Sequence, residues 1–227
     1  MSSPPASAML LAAGLGTRLR PLSLKRPKPL FPVLNRPMLR FWLERLHSAG
    51  VRLTVVNAFH LAPMVEEFVE GISSEFPGME TAVSRESAAM GTGGGLKLAS
   101  GRFGGPLYVV NSDIYSEIPL LSLAGAHAAR PGVLATLSVL DRPRKATVSV
   151  GSGGRILAFR ERSPVPGEIG RLCGAGVMVL EPEALARLPP GPSDVIAELA
   201  RMLSEGSEAR AFRLDPDAFW CDMGTPD

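Results

Sequence analysis

The chain has 227 residues, 45% of them hydrophobic and 20% charged, which suits one sizeable buried core and excludes wholesale disorder. Its 24 glycines and 21 prolines make up a fifth of the residues, against a usual share of about 12%, and that density of breakers excludes a coiled coil or a simple helical bundle. A net charge of +2 with no block of five like charges lacks the electrostatic footprint of a nucleic-acid binder.

In chain order, residues 8–13 (AMLLAA) read as a buried strand that runs straight into a glycine turn. Residues 37–49 place Leu39, Trp42, Leu43 and Leu46 at helical spacing, and Gly50 ends that helix. Strands follow at 53–57, 79–83 and 107–111, with an amphipathic helix at 62–72 that turns Met64, Val65, Phe68 and Ile72 to one side and Glu66, Glu67 and Glu70 to the other. This alternation predicts a mostly parallel sheet covered on both faces. After Val133 strand-like runs crowd together at 133–140, 146–150, 155–160 and 176–180; helices at 182–188 and 193–203 and a last strand at 218–223 complete the chain. No linker or repeat divides it, so 1–227 reads as one domain with an α/β N-terminal half and a more mixed C-terminal half.

Cys173 and Cys221 lack any CxxC or Cys/His spacing, so neither a disulfide framework nor a zinc site is expected. The three histidines are scattered: His47 and His127 read as helix residues without chemistry, and His60, after the second strand, as a surface residue with a place at the rim of the site as the alternative. The run at 8–13 is far short of the roughly 20 residues of a membrane span and has no charged segment before it. A cytoplasmic protein with no membrane and no nucleic-acid partner is expected, as a monomer or homodimer.

The segment from Leu11 to Pro21, LAAGLGTRLRP, opens at the carboxyl end of the first strand, the edge at which open α/β sheets bind ligands. Gly14 and Gly16 let the backbone turn N–H groups toward an anion, and Thr17 and Arg18 add side-chain donors. The P-loop pattern fails for want of a following GK[ST]. The dinucleotide fingerprint fails because Leu19 stands where the third glycine belongs, and Asn57 rather than an acid closes the second strand. The glycines alone suit a tight turn as well as an anion cradle.

The continuation, Gly14-x-Gly-Thr-Arg-x-x-Pro21 and then Arg26-Pro27-Lys28-Pro29-Leu30, resembles the signature of the sugar-phosphate nucleotidylyltransferases. Near the other end, Trp220-x-Asp222-x-Gly-Thr-Pro226 looks like a second motif of that family, and Asn111-Ser-Asp113 resembles its Asn-Gly-Asp segment with Ser112 in place of glycine. Finer details come near the short members that act on mannose-, heptose- or N-acetylmuramate-type 1-phosphates. The resemblance implies a three-layer α/β/α Rossmann-like nucleotidyltransferase fold with a mostly parallel central mixed sheet. It further implies Mg²⁺-dependent transfer of a nucleotidyl group from an NTP to a sugar 1-phosphate, with release of pyrophosphate.

On that resemblance Arg18, Lys28, Asp113 and Asp222 form the catalytic group, the two aspartates holding Mg²⁺. Ala13, Gly14, Gly16, Thr17, Arg18, Glu86, Gly93, Gly94 and Asn111 bind the nucleotide. Lys28, Glu161, Arg162 and Gly176 face the sugar phosphate. Two features of the sequence support this division. The cluster from Gly91 to Gly95 is costly in backbone entropy unless something approaches closely. The chain also carries 20 arginines and only four lysines, so a lysine at position 28 marks a need for a compact charge. The departures are Ser112, Arg162 with an inserted Ser163 where the family has Glu-Lys-Pro, Gly174 where many members have asparagine, and an end only five residues past Asp222. They leave a non-catalytic nucleotide-sugar-binding subunit of the same fold as an alternative, beside cytidylyl transfer to a phospho-alcohol.

Overall fold

In the first strand, β1 (Ser7–Leu11), the side chains of Ala8, Met9 and Leu10 are all fully buried, so both faces of the strand are covered and it must lie inside a layered structure. The computed structural model describes residues 4–224. After β1 come the short pair β2 (Pro32–Val33) and β3 (Arg36–Pro37), α1 (Met38–Ser48), β4 (Leu53–Ala58), α2 (Ala62–Ile72), β5 (Glu80–Arg85), α3 (Gly91–Ala99) and β6 (Leu107–Asn111). The second half runs β7 (Ile114–Ser116), α4 (Leu120–Ala128), β8 (Val133–Leu140), β9 (Val148–Val150), β10 (Ile156–Phe159), β11 (Gly170–Leu180), α5 (Pro182–Arg187), α6 (Val195–Ser204), β12 (Glu208–Arg213) and β13 (Trp220–Asp222).

Nine strands form one mixed sheet in the order β10-β9-β11-β6-β1-β4-β5, with β8 against β11 and β12 against β8. Its centre, β6-β1-β4-β5, is parallel, so the carboxyl ends of these strands share one edge. Alternate side chains sort to two cores. Ala8, Leu10 and Val56 meet α1, α2 and α4 through Leu39, Trp42, Leu43, Val65 and Leu123. Met9, Val55 and Val109 meet α3, α5 and α6 through Leu96, Leu185 and Leu199. Each fully buried leucine contributes about 1.5–3 kcal/mol by leaving water, so the helical layers are held chiefly by these stripes. Among the described residues no helix is long and apolar enough to cross a membrane.

Helix α1 matches its sequence pattern, and Gly50 takes the left-handed conformation (φ 82°) that ends it. Trp42 has no exposed surface, and its indole N–H donates to the Ile114 carbonyl at 2.8 Å. Phe41 stacks on Tyr115 with ring centroids 4.4 Å apart, so both aromatics serve packing. The sequence pattern shows only 176–180 of β11; the strand starts six residues earlier, at Gly170, because its first half pairs with β9 and its second with β6. Its pairing with β8 slips between Gly174 and Met178, a bulge at which Gly176 adopts φ 85°. Strand β12 had no clear sequence signal, since EARAFR alternates a small and an aromatic apolar residue with charges that pair at the surface.

Candidate active site

The loop after β1 leaves the parallel edge of the sheet and is braced from beneath. The backbone N–H of Ala12 donates to Asn57 Oδ1 at 2.6 Å, and the Ser23 hydroxyl donates to the Gly16 carbonyl at 2.7 Å. Gly16 needs to be glycine for two reasons: its φ is +60°, and a Cβ there would lie 3.0 Å from Ser23 Cβ. A His60 ring nitrogen lies 2.7 Å from the Ser23 carbonyl, so this histidine supports the loop rather than rimming the cleft. The result is a cleft of about 440 Å³ lined by Ala13, Gly14, Gly16, Thr17, Arg18, Lys28, Glu86, Asn111 and Asp113, among others.

Strand pairing decides which charges meet at the end of this cleft. β13 runs antiparallel to β7 with Asp222 opposite Ile114, and Met223 N–H donates to the Asp113 carbonyl at 2.9 Å, so residues 109 apart in sequence come side by side. The Lys28 ammonium is ion-paired and hydrogen-bonded to Asp113 Oδ2. Lys145 Nζ lies 3.5 Å from Asp222 Oδ2 and 5.3 Å from the centre of the Trp220 ring. Asp222 Oδ1 accepts the Gly224 N–H at 2.8 Å. A Cβ added to Gly224 would meet Asp222 Oδ1 at 2.6 Å, Lys28 Nζ at 2.9 Å and Arg18 Nη2 at 3.2 Å. The three-way approach brings Arg18, Lys28, Asp113 and Asp222 to one place.

Other expected residues are placed differently. Gly93 and Gly94 do not line the cleft: they lie within the first turns of α3, packed on the loop before α6. A Cβ on Gly93 would lie 2.5 Å from Ser193 Oγ, and one on Gly94 2.5 Å from the Gly191 carbonyl oxygen. The cluster is therefore helical rather than a loop, and its glycines admit protein backbone; Gly91 and Thr92 face the cleft in their place. Glu86 is buried, its Oε1 accepting from Asn57 Nδ2 at 2.7 Å and its Oε2 from the Met90 N–H at 3.1 Å. Ser112 turns its hydroxyl back onto the Leu11 carbonyl at 2.7 Å, tying the exits of β1 and β6 together.

A second hollow of about 240 Å³ adjoins the first, sharing Thr92 and Asn111 with it, and is lined further by Thr147, Arg160, Gly174, Gly176 and Asp194. A Cβ on Gly176 would reach Ile114 Cγ1 at 2.6 Å and Asn111 Cβ at 3.4 Å, which keeps this hollow against the first. Glu161 and Arg162, in contrast, are exposed and line neither cavity. Their carbonyls accept from Arg171 Nη1 at 2.8 and 3.3 Å, so the segment is anchored by its backbone. The residues missed in the sequence are Thr92, Arg160 and Lys145. Only the scarcity of lysine could have drawn attention to the last.

No group of three or more His, Cys, Asp or Glu side chains capable of holding a metal occurs among the described residues. Mg²⁺ requires fewer protein ligands, one or two carboxylates with water and phosphate oxygens. The paired Asp113 and Asp222, each with an ammonium against one oxygen where a cation is favoured, fit that donor set.

A parallel-centred sheet between two helical layers, with a glycine loop at its carboxyl edge, is a three-layer α/β/α protein of Rossmann-like build. The chain belongs to the nucleotidyl transferase family, whose sequence profile matches residues 7–227. It is 32% identical over 225 residues to a mannose-1-phosphate guanylyltransferase catalytic subunit beta of Dictyostelium discoideum and 33% identical over 228 residues to the mannose-1-phosphate guanyltransferase of Saccharomyces cerevisiae. Each match covers 96% of this chain, which spans 61% of the length of those curated relatives. The fold is also that of the inositol-1-phosphate CTP transferase of T. maritima (TM-score 0.81, 18% identity, 100% of this chain and 92% of that one). It is likewise that of a UDP-glucose pyrophosphorylase of Acinetobacter baumannii (TM-score 0.78, 19% identity, 97% and 89%).

Proposed function

We propose that this chain transfers a nucleotidyl group from an NTP to a sugar 1-phosphate, forming an NDP-sugar and releasing pyrophosphate. The observation that carries this reading is the meeting of Arg18, Lys28, Asp113 and Asp222 at one end of the glycine-loop cleft. The names of the relatives make GTP and mannose 1-phosphate the first pair to try. In this reading the N-terminal half of the chain holds the nucleotide and the C-terminal half the sugar phosphate, with Asn111 and Gly176 at their seam.

The chemistry asks little of a general base. A phosphate monoester has its second pKa at about 6, so it is largely dianionic at neutral pH and already nucleophilic. The protein's work is to hold two anions in line and to neutralise the charge that builds on the transferring group. The loop from Ala13 to Thr17 presents backbone N–H groups to the triphosphate, and Arg18 offers a planar fork to the departing pyrophosphate oxygens. Lys28 places a compact charge at the α-phosphate. Asp113 and Asp222 would hold Mg²⁺, which when bound supplies charge neutralisation at the phosphates. Asn57 and Glu86 keep the loop in place from below.

The test is a matrix of nucleoside triphosphates against sugar 1-phosphates, with and without Mg²⁺, read as pyrophosphate. At least one pair is expected to turn over, and Asp113→Ala or Asp222→Ala to lower that turnover about 10²–10³-fold with the fold retained. Failure of every pair, or an Asp113→Ala protein as active as the parent, overturns the reading.

A further inference from the structure

Resting on the function proposed above, we propose that the cation receiving the sugar phosphate is Lys145, on the turn between β8 and β9, and not Arg162. Arg162 occupies the position the sequence motif points to, yet among the described residues no ion pair brings its side chain to Asp113 or Asp222, and it belongs to a segment whose carbonyls at 161, 162 and 163 are all gathered by Arg171. That clamp sets the backbone of the segment with no demand on the Arg162 side chain.

Lys145 does not itself line either cavity; its contact with Asp222 and its nearness to Thr147 tie it to both. Thr147, two residues on, lines the second hollow, and Gly224, two residues past Asp222, lines the first. Its ammonium lies 3.5 Å from Asp222 Oδ2, a loose contact that leaves N–H donors free, and its side chain remains 53% exposed. Its surroundings are rigid. Lys145 N–H donates to the Arg142 carbonyl at 2.9 Å, Thr147 N–H to the Leu172 carbonyl at 3.0 Å, and the Trp220 indole beneath the ammonium donates to the Ala175 carbonyl at 3.0 Å.

Rival cations are engaged elsewhere. Arg160 lines the second hollow, but its guanidinium is held 3.2 Å from Asp194 at the start of α6. Lys28, against Asp113, is the cation already assigned to the α-phosphate. The two site lysines thus divide the two carboxylates, Lys28 on Asp113 and Lys145 on Asp222. A sugar phosphate entering from the second hollow reaches Lys145 as the triphosphate reaches Lys28.

The experiment compares Lys145→Ala, Lys145→Arg and Arg162→Ala in steady-state pyrophosphate release. Removal of a charge-assisted hydrogen bond is expected to raise the KM for the sugar 1-phosphate about tenfold to a hundredfold in Lys145→Ala, with the KM for the NTP within about twofold. Lys145→Arg restores most of the loss, and Arg162→Ala changes neither constant. A loss confined to kcat, equal for both substrates, would mean that Lys145 only holds Asp222 and would overturn the proposal, as would a raised sugar KM in Arg162→Ala alone. Should no pair turn over, the proposed reaction fails by itself. Calorimetric titration with mannose 1-phosphate in the presence of a non-hydrolysable GTP analogue then decides: weaker binding in Lys145→Ala than in Arg162→Ala supports the assignment, and equal binding overturns it.

Discussion

Replacing Glu86 with glutamine separates two roles that the sequence alone leaves merged, contact with the nucleotide and support of the loop that cradles it. Both carboxylate oxygens accept from protein N–H groups, Oε1 from Asn57 Nδ2 at 2.7 Å and Oε2 from Met90 N at 3.1 Å. Asn57 cannot turn over to suit an amide, since its Oδ1 already accepts the Ala12 N–H at 2.6 Å. In Glu86→Gln one position becomes an NH₂ that faces another donor, so one hydrogen bond to a charged acceptor is lost in a buried site. Such a bond contributes about 2 kcal/mol, and for a domain of this size that lowers Tm by about 4–8 °C. Because the chain Glu86–Asn57–Ala12 ends at the glycine loop, the KM for the NTP is expected to rise only a few-fold. Thermal unfolding and steady-state kinetics on the same preparation read both quantities. An unchanged Tm together with a KM raised more than about tenfold would refute the reasoning, for it would mean that the carboxylate is free to meet the ligand.

Gly94→Ala places a Cβ 2.5 Å from the Gly191 carbonyl oxygen, whereas Gly101→Ala meets nothing within 4 Å; the first is expected to cost about 1–3 kcal/mol and the second to stay within about 0.5 kcal/mol of the parent, as read by urea midpoints, and equal midpoints would refute the packing role. The Arg171 guanidinium, through its hydrogen bonds to Glu168, holds that carboxyl down at about 2, with burial opposing and the Val165 N–H adding to the effect. A carboxyl lowered in the folded state stabilises it above its ordinary value of 4.5, and this support is lost as the pH falls toward about 2. Hydrogen exchange at residues 161–168 is expected to show the parent protected over Arg171→Ala at neutral pH, the difference shrinking below pH 4.5; a difference that does not change with pH would refute the coupling.

The periodicity of the first half made the parallel sheet legible, because βα alternation and strands buried on both faces follow from local spacing. The glycine loop, Lys28 and the two aspartates were legible as motifs, since phosphate chemistry needs small residues and charges at set positions along a short stretch. What local spacing could not show is which distant segments touch. Gly93 and Gly94 carry the same glycine signal as a ligand loop, and only the tertiary structure shows that the backbone at 191–193 fills the space they leave. Arg162 sits in a recognisable motif, yet the fold turns it outward and brings Lys145, with no motif around it, to Asp222.

The sequence by itself therefore determined the fold class, the glycine loop at the sheet's carboxyl edge and the kinds of charge gathered beside it. The tertiary structure decided which charges meet, because Asp113 and Asp222 come together through the pairing of β7 with β13, a contact between the middle of the chain and its end. It also decided what the fifth of the chain that is glycine and proline accomplishes. Gly16 and Gly224 leave room at the cleft, Gly176 bends β11 so that the second hollow adjoins the first, and the glycines of α3 let two helices close on each other. Composition sets how many such close approaches a chain can make, and long-range packing alone sets where they fall.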